Sequence, residues 1–336
     1  MISGERRYAR MVACAGYAPD DVMTNAQIAA RVDTSDEWIA ARTGIRERRI
    51  ARPDQATSDL VIQAATRVLE QAAVEPSVVD VVIVGTCTPD HLFPSTASIV
   101  CERLGIRAGS FDLVNACSSW VYGLAQGCGL IEAGIAQNVL VLGGETLSRI
   151  TNWDDRSTCI LFGDGAGGAL LRASPTSDGY GFMAFDLGTE PDRDSLVLGA
   201  GGSRQPANLG HANGPEGYIA MNGRAVFKWA SRMIVESVER LLERAGLAPD
   251  DIDLFVPHQA NLRIIEHAVE RTGIPADRVM VNIDRYGNTS AGSVPLALGE
   301  AVEQGRVGDG DIVLAIGFGA GLAHAGTILR YGGGPG

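Results

Sequence analysis

The sequence has little lysine, no paired cysteine motif and no long apolar run, and each shortage argues against a class of protein. Its 336 residues carry a net charge of −12, and Lys228 is the single lysine among 28 basic residues. Such an acidic chain lacks the basic footprint of a nucleic-acid-binding protein. The apolar runs, such as 78–84, end well short of the roughly 18 residues of a membrane span. With no signal-peptide pattern at the N-terminus, we expect a cytoplasmic protein that binds neither nucleic acid nor membrane.

The cysteines also argue against a metal protein. Six cysteines are present, and none is spaced as C-x-x-C, so neither a zinc site nor a disulfide framework is expected. Five of the six are interpreted as small buried apolar residues. The sequence therefore predicts no metal and no resident cofactor.

The chain contains an internal repeat. Residues 68–84 resemble residues 241–257 at an offset of 173 (241 − 68), and both segments are typical of a helix, a proline-containing turn and an apolar strand. The same offset aligns Val139 with Ile312 and Cys117 with Ser290. Three aligned segments predict an α/β chain made of two copies of one unit, with mainly parallel sheets covered by helices.

The linker-like segment 174–179 suggests where the two units divide. We expect an N-terminal half at 1–175 that carries the nucleophilic cysteine, and a C-terminal half at 176–336 that carries a histidine and an asparagine. Ligands of α/β sheets bind beyond the carboxyl ends of strands. Two fused halves would place two such edges face to face.

Cys117 is the strongest candidate nucleophile. It lies between a strand-like stretch, 110–114, and a helix-like stretch that follows it. A thiol at a helix N-terminus feels the positive end of the helix dipole, which lowers its pKa and favours the thiolate. Position alone leaves a buried core cysteine as an equal alternative.

Two further polar residues and a glycine-rich segment also follow predicted strands. His258 comes after the apolar strand at 254–257, and Asn288 lies in the sequence Gly-Asn-Thr-Ser. The segment Gly317–Gly321 lacks the Gly-x-Gly-x-x-Gly spacing of a dinucleotide site. It can instead aim a backbone N–H into a site, because glycine permits close approach.

Taken together, these motifs resemble the thiolase-like condensing enzymes, and most closely the β-ketoacyl-[acyl-carrier-protein] synthase III family. The resemblance runs almost from end to end and implies a thiolase-like fold with αβαβα layers. It rests on the segments 34–39, 42–46, 93–97, 115–118, 162–167, 221–223, 256–261 and 287–290, in this order.

The resemblance implies a catalytic set of Cys117, His258 and Asn288. Cys117 would take an acyl group from acyl-CoA, and the backbone N–H groups of Cys117 and Ala320 would form the oxyanion hole. His258 and Asn288 would then stabilise the enolate left when malonyl-acyl carrier protein loses CO₂. Acyl-CoA and malonyl-acyl carrier protein are substrates, so no cofactor is implied.

The resemblance also implies binding roles and a homodimer. Trp38 and Arg156 would stack on the CoA adenine, Arg42 would lie near the phosphates, and Phe93 would reach into the partner's acyl pocket. Further substrate contacts are implied for Asn222, Gly223, Trp120, Leu147 and Phe162, and carrier-protein docking for Lys228, Arg263 and Arg271.

Several positions depart from the family pattern. Ser119-Trp120 replaces the usual Gly-Phe, Leu-Ala-His-Ala at 322–325 replaces a segment with Thr-Trp-Gly, and Glu270 stands where a basic residue is frequent. We hypothesise that the bulky Trp120 reshapes the acyl pocket, so that the enzyme primes polyketide or unusual fatty-acid synthesis. The role of His324 stays open.

Alternatives remain beside condensation. One is an acyltransferase of the same fold that passes its acyl group to oxygen or nitrogen, and another is a non-catalytic partner subunit, although such subunits usually lose the nucleophile. A thiolase would need a second catalytic cysteine in the C-terminal half, and the last cysteine is Cys159. A hydroxymethylglutaryl-CoA synthase would need a glutamate near Cys117, which the sequence does not place.

Overall fold

The computed structural model describes residues 7–210 and 214–332, which form an α/β fold. The helices are α1 Asn25–Ala29, α2 Asp36–Thr43, α3 Thr57–Gln71, α4 Thr96–Leu104, α5 Ser119–Glu132, α6 Gly223–Ala245, α7 Leu262–Thr272, α8 Ile283–Tyr286 and α9 Ser293–Glu303. The strands are β1 Tyr8–Tyr17, β2 Val22–Thr24, β3 Glu47–Arg49, β4 Val81–Gly85, β5 Gly109–Leu113, β6 Asn138–Thr146, β7 Asp164–Ser174, β8 Gly181–Asp192, β9 Leu196–Leu198, β10 Ile219–Met221, β11 Leu254–Pro257, β12 Ile312–Gly319 and β13 Gly321–Arg330.

Two sheets of the same connectivity form the framework. The first has the order β1-β7-β6-β4-β5, and the second has the order β11-β12-β13-β8. A parallel bridge between Phe255 and Val279 lies beside β11, where β5 lies beside β4 in the first sheet. The expectation of mainly parallel sheets is wrong, because β7 and β1, like β13 and β8, pair antiparallel. The loop 175–180 joins β7 to β8, and the division at 175 stays a prediction.

Five layers follow from the helix positions, as the αβαβα expectation required. Helices α3 and α4 cover the outer face of the first sheet, while α6 and α7 cover that of the second. Helices α5 and α9 lie between the sheets in a shared apolar core. Helix α5 approaches the first sheet closely because a Cβ on Gly123 or Gly127 would lie 2.8 Å from a side chain of that sheet.

The repeat is one residue longer in the second half than a single offset allows. Val81 of β4 pairs with Val139, whereas Leu254 of β11 pairs with Val313. The offset is therefore 173 for the first strand of each pair (254 − 81) and 174 for the second (313 − 139). An additional residue in the second half separates these strands.

This shift corrects the residue that was aligned with the nucleophile. The two 3-10 turns that precede α5 and α9 begin at Ala116 and Ser290, and both residues have φ 48°. Cys117 is thus equivalent to Ala291, not to Ser290. The strand-like sequence 279–283, which would match 110–114 in the repeat, forms no strand: only Val279 makes a bridge, and α8 begins at Ile283.

The described helices and the described metal-ligating side chains bear on membrane insertion and on metal binding. Within residues 7–210 and 214–332, no helix is both long and apolar enough to span a membrane. Over the same ranges, no three His, Cys, Asp or Glu side chains are grouped as they would be to hold a metal ion.

Candidate active site

Cys117 lies on a tight turn between β5 and α5. Ala116 has a positive φ of 48°, which turns the chain sharply before the helix. The Asn115 N–H donates to Ser119 Oγ at 2.8 Å, and the Ser118 hydroxyl donates to the Asn115 carbonyl at 2.8 Å. These hydrogen bonds hold Cys117 in place with 7% of its surface exposed.

The end of β12 packs directly against this turn. A Cβ on Gly319 would lie 3.0 Å from Cys117 N and 3.1 Å from Cys117 Sγ. A Cβ on Gly317 would lie 2.8 Å from the Cys117 carbonyl oxygen. The predicted glycine-rich loop is mostly strand, since β12 ends at Gly319 and β13 begins at Gly321. Glycine is required here because any side chain would push the nucleophile away.

The thiol of Cys117 is neutral at rest. Burial raises its pKa to about 12, while a hydrogen bond with Ser290 lowers the pKa and the Glu145 charge raises it. The expectation of a lowered pKa is therefore wrong. Loss of hydration outweighs the helix terminus, because the thiolate would lie in a nearly closed apolar setting. The nucleophile needs a proton acceptor when it attacks.

His258 follows β11 as predicted and is fixed by β12. The backbone N–H of His258 donates to the Ile316 carbonyl at 2.7 Å, and the imidazole ring packs edge to face against Phe318 with 5.0 Å between the ring centroids. The side chain is buried, and burial lowers the pKa of His258 to about 3. Its Nδ1 has no hydrogen-bond partner among the described residues. The imidazole is therefore neutral at neutral pH.

Asn288 is held at both ends of its backbone. Its N–H donates to the Leu161 carbonyl at 2.9 Å, and its carbonyl accepts from the Gly163 N–H at 3.0 Å. The side-chain Oδ1 accepts from the Ser290 N–H at 2.8 Å. This hydrogen bond identifies the amide nitrogen as the end that can donate to a ligand.

A cavity of about 100 Å³ contains the nucleophile. Leu147 and Phe162 line it, as predicted, and so does Ala320 beside Cys117. His258 and Asn288 lie next to this lining rather than in it, buried at 1% and 8% exposure. The other lining residues are Cys87, Ala116, Ile150, Leu196, Val197, Leu198, Ile219 and Ser290.

Trp120 does not line this cavity. It is 1% exposed in the core between the sheets, and its indole N–H donates to the Val141 carbonyl at 3.1 Å. Its predicted role in substrate binding is therefore corrected: the ring points into the shared core because α5 turns that face away from Cys117. The pocket-reshaping hypothesis loses its basis.

Three of the predicted CoA contacts come together at the surface. The guanidinium carbon of Arg156 lies 4.2 Å from the centroid of the Trp38 ring, and that of Arg42 lies 5.7 Å from it. Asn222 instead caps α6, with its side chain accepting from the Ala225 N–H at 3.2 Å. Gly223, the first residue of α6, and Asn222 are both exposed.

Of the three predicted docking residues, Lys228 and Arg263 both lie next to Phe227, whereas Arg271 lies further away. Lys228 is exposed on α6, and Arg263 on α7 lies over the ring of the adjacent Phe227 at 5.7 Å. Arg271 lies in the last turn of α7, eight residues after Arg263 and so about 12 Å further along the helix. Its neighbour Glu270 is exposed too.

Phe93 is highly exposed to solvent in the single chain. It is 85% exposed, and Leu92 beside it is 83% exposed. Two adjacent large apolar side chains so exposed are unusual unless a partner covers them.

Sequence reasoning missed Glu145, which lies beside the nucleophile. Glu145 is completely buried near the end of β6, and its carboxylate accepts a hydrogen bond from the Ser290 hydroxyl at 3.1 Å. A glutamate that ends the apolar run at 139–144 was the available signal, because buried carboxylates require dedicated partners. Glu145 does not line the cavity itself.

His324 lies away from the cavity, on β13. Its Nε2 is 3.2 Å from Asp186 Oδ2 and 3.3 Å from an Arg240 nitrogen. Burial lowers the pKa of His324, although the Asp186 charge opposes this. The residue belongs to a polar cluster beneath α6 and not to the acyl cavity.

Comparisons with known proteins agree on one family. Models described as 3-oxoacyl-[acyl-carrier-protein] synthase III match residues 111–191 and, for the C-terminal part, residues 242–331. The β-ketoacyl-[acyl-carrier-protein] synthase III of Desulfitobacterium hafniense DCB-2 is 48% identical over 96% of this chain and 97% of its own.

Solved structures give the same result. The β-ketoacyl-[acyl-carrier-protein] synthase III of Thermus thermophilus has a TM-score of 0.90 and 49% identity, covering 96% of this chain and 99% of its own. The priming β-ketosynthase of the R1128 polyketide pathway has a TM-score of 0.91 and 36% identity, covering 98% of both chains. This chain therefore belongs to the β-ketoacyl-[acyl-carrier-protein] synthase III family and is a condensing acyltransferase.

Proposed function

We propose that this enzyme condenses a short acyl-CoA with malonyl-acyl carrier protein and so initiates fatty-acid synthesis, with Cys117, His258 and Asn288 as its catalytic residues. The observation that carries the proposal is the position of Cys117 on its strained turn, at the inner end of an apolar cavity. The names of the relatives supply the reaction class.

In the first half-reaction, the Cys117 sulfur attacks the thioester carbonyl of acyl-CoA, and the proton of its thiol ends on the departing CoA sulfur. A C–S bond to Cys117 forms, and the bond to the CoA sulfur breaks. The negative charge that develops on the carbonyl oxygen needs donors that are already in place. The backbone N–H groups of Cys117 and Ala320 are proposed for this role, because Ala320 lines the cavity beside the sulfur.

In the second half-reaction, the malonyl group loses CO₂ and leaves an enolate. His258 and Asn288 donate hydrogen bonds to its thioester oxygen. Burial keeps the pKa of His258 near 3, so the ring is a neutral donor and not an acid that would protonate the carbon nucleophile. The carbanion attacks the acyl–Cys117 thioester and releases the 3-ketoacyl product.

The starter is proposed to be short and apolar. An apolar cavity of roughly 150 Å³ accommodates a benzene molecule in another protein, whereas this one has about 100 Å³. That volume suits an acyl chain of about four carbons or fewer. Leu147, Phe162 and Ile219 surround the space where such a chain would lie.

CoA is proposed to bind outside this cavity, at Trp38. The Arg156 guanidinium lies over the indole at a stacking distance, so adenine would enter between the two groups or replace one contact. Arg42 lies close enough to reach the phosphates. Asn222 and Gly223 are proposed to line the pantetheine path.

The carrier protein is proposed to dock on the exposed cations Lys228 and Arg263, with Arg271 as a more distant contact. Acidic partners are attracted by such isolated positive groups on a protein of net charge −12. A cytoplasmic location stays a prediction.

A homodimer is proposed because β5 forms an open sheet edge. It ends the first sheet, and the nearby Phe111 and Val114 are 39% and 72% exposed. Open edges with apolar neighbours favour pairing with another strand. The exposed Phe93 would then contact the partner, as the family resemblance implies.

Intact-protein mass spectrometry tests the proposal. The protein is incubated with acetyl, butyryl, isovaleryl and octanoyl-CoA, and the added mass is recorded for the natural protein, Cys117→Ala and Cys87→Ser. We expect short acyl adducts on the natural protein and on Cys87→Ser, whose sulfur lines the same cavity. An adduct that survives in Cys117→Ala would overturn the assignment of the nucleophile.

Discharge of the adduct separates condensation from the alternative. Malonyl-acyl carrier protein should release the acyl group from Cys117 with one CO₂ per turnover. Transfer of the acyl group to an amine or alcohol without CO₂ release would instead support an acyltransferase of the same fold.

A further inference from the structure

Glu145 is a buried carboxylate that neither of the two half-reactions uses. It is completely buried, and its oxygens accept hydrogen bonds from the Cys87 and Thr88 N–H groups at 3.0 Å. The hydroxyls of Thr88 and Thr86 donate to it at 2.7 and 3.1 Å. Such a set of donors stabilises the charged form of an acid that burial would otherwise neutralise.

Ser290 connects this carboxylate with the nucleophile. Its hydroxyl donates to Glu145 Oε1 at 3.1 Å, and the turn that carries it packs against the turn of Cys117, so that both residues line the same cavity. Ser290 lines the cavity, whereas Glu145 lies behind it. A hydroxyl in this position can accept the thiol proton while it passes its own proton to the carboxylate.

The reaction needs such an acceptor. The Cys117 thiol is buried and neutral, so its proton must leave as the sulfur attacks. His258 is a poor acceptor, because its buried ring has no partner at Nδ1 among the described residues to stabilise a cation. Its proposed task also requires that it stay a neutral donor.

We propose that Ser290 and Glu145 form a proton relay that activates Cys117. As the C–S bond to the acyl carbon forms, the thiol proton passes to Ser290 Oγ and the Ser290 proton passes to Glu145. The departing CoA thiolate recovers a proton along the same path, so acids and charges balance over the half-reaction. The relay rests on the proposed function, because it assumes that Cys117 is the acylated residue.

The charges that face Glu145 are few. Cys117 faces it from the turn before α5, and Cys87 faces it from the segment after β4. From α3, only the neutral Thr57 is connected to it, by hydrogen bonds to Thr88 and Thr146. The turn before α9 presents the neutral Ser290. Burial raises the pKa of Glu145 above its ordinary value of 4.5, while these hydrogen bonds oppose the rise. Among the described residues, all of the hydrogen-bond partners of its carboxylate are donors, which favours the ionised form that a proton acceptor must have.

The relay predicts an unusual dependence of acylation on pH. With Glu145 as the acceptor, the rate should fall where Glu145 becomes protonated and should not change with pH over the range in which Glu145 is ionised. Without the relay, the rate should follow the thiolate fraction of a thiol with a pKa of about 12. It would then rise about tenfold for each pH unit in that range.

The experiment measures the rate of Cys117 acylation by acetyl-CoA from pH 5 to pH 9, using quenched mass spectrometry. The variants are Ser290→Ala and Glu145→Gln, with Thr86→Val as the matched control that removes a different donor to the same carboxylate. Ser290→Ala retains the backbone bond to Asn288, and Ala116 shows that alanine adopts the same φ of 48°. It therefore carries the test even if Glu145→Gln fails to fold.

Ser290→Ala is expected to be acylated about 10²-fold more slowly at pH 7, and its acylation rate should rise about tenfold for each pH unit. Glu145→Gln should show the same slope, and the double variant should be no slower than either single one. Thr86→Val should keep the level profile. The relay is overturned if Ser290→Ala changes the rate but retains the natural profile, which is the result of a purely structural role. If no variant and not even the natural protein is acylated, the proposed function fails instead.

Discussion

Gly319 offers the sharpest steric test of the site, because the three atoms nearest to an added methyl group would all belong to Cys117. The Cβ of an alanine would lie 3.0 Å from Cys117 N and 3.1 Å from Cys117 Sγ. Contacts so short must lengthen by a few tenths of an ångström. Gly319 has no positive φ, so the strain of Gly319→Ala would be entirely steric.

The magnitude follows from that displacement. Overpacking a close-packed site costs about 1–3 kcal/mol of stability. A misplacement of about 1 Å in a catalytic group costs roughly 10²-fold in rate. We therefore expect Gly319→Ala to lower the rate of Cys117 acylation by about tenfold or more, with a lower Tm.

Acylation kinetics by mass spectrometry and thermal unfolding together check this expectation. Gly129→Ala is the control, because Gly129 lies in the same helix that follows Cys117, is exposed, and has no heavy atom within 4 Å of an added Cβ. It should raise stability by about 0.5–1 kcal/mol and leave acylation unchanged. Full activity and an unchanged Tm in Gly319→Ala would refute the packing of β12 against the nucleophile.

Three other predictions concern different parts of the molecule. Burial lowers the pKa of His258 in the folded protein to about 3, so the unfolded chain binds a proton at this residue first as the pH falls below 6.5. Between pH 7 and pH 4.5, the free energy of unfolding of the natural protein should therefore fall by about 2–3 kcal/mol more than that of His258→Gln, as measured by chemical unfolding. Trp38→Ala should weaken CoA binding by about tenfold in calorimetry, whereas an unchanged Kd would place adenine elsewhere. Val114→Lys should shift the protein towards monomer in light scattering, while Ile135→Lys, at a residue 65% exposed, should not.

The repeat predicted two similar α/β units because it carries its own evidence, whereas the αβαβα layers followed from the family resemblance. Paired helix and strand patterns at a common offset require two similar sheets, and the structure has them. A single extra residue in the second half was invisible to that comparison. It shifted the equivalent of Cys117 from Ser290 to Ala291, because side-chain identity does not report φ.

The burial of Cys117, and hence its pKa, could not be predicted from the sequence. The position of Cys117 before a helix predicted a lowered pKa, but burial by β12 and the cavity walls raises it. Trp120 was similarly misplaced, since the helix face that a residue occupies depends on how α5 rotates between the sheets. Glu145 was missed because its donors come from two segments far apart in the sequence, 86–88 and Ser290.

Separation of the two half-reactions tests the central claim most directly. Asn288→Ala is loaded with a short acyl-CoA, treated with malonyl-acyl carrier protein, and followed by mass spectrometry and CO₂ release. The account predicts that Cys117 is still acylated but that almost no CO₂ is released and the acyl group is not discharged, because a donor to the enolate oxygen is gone. Discharge at the natural rate in this variant would contradict the assignment of Asn288 and the decarboxylative mechanism built on it.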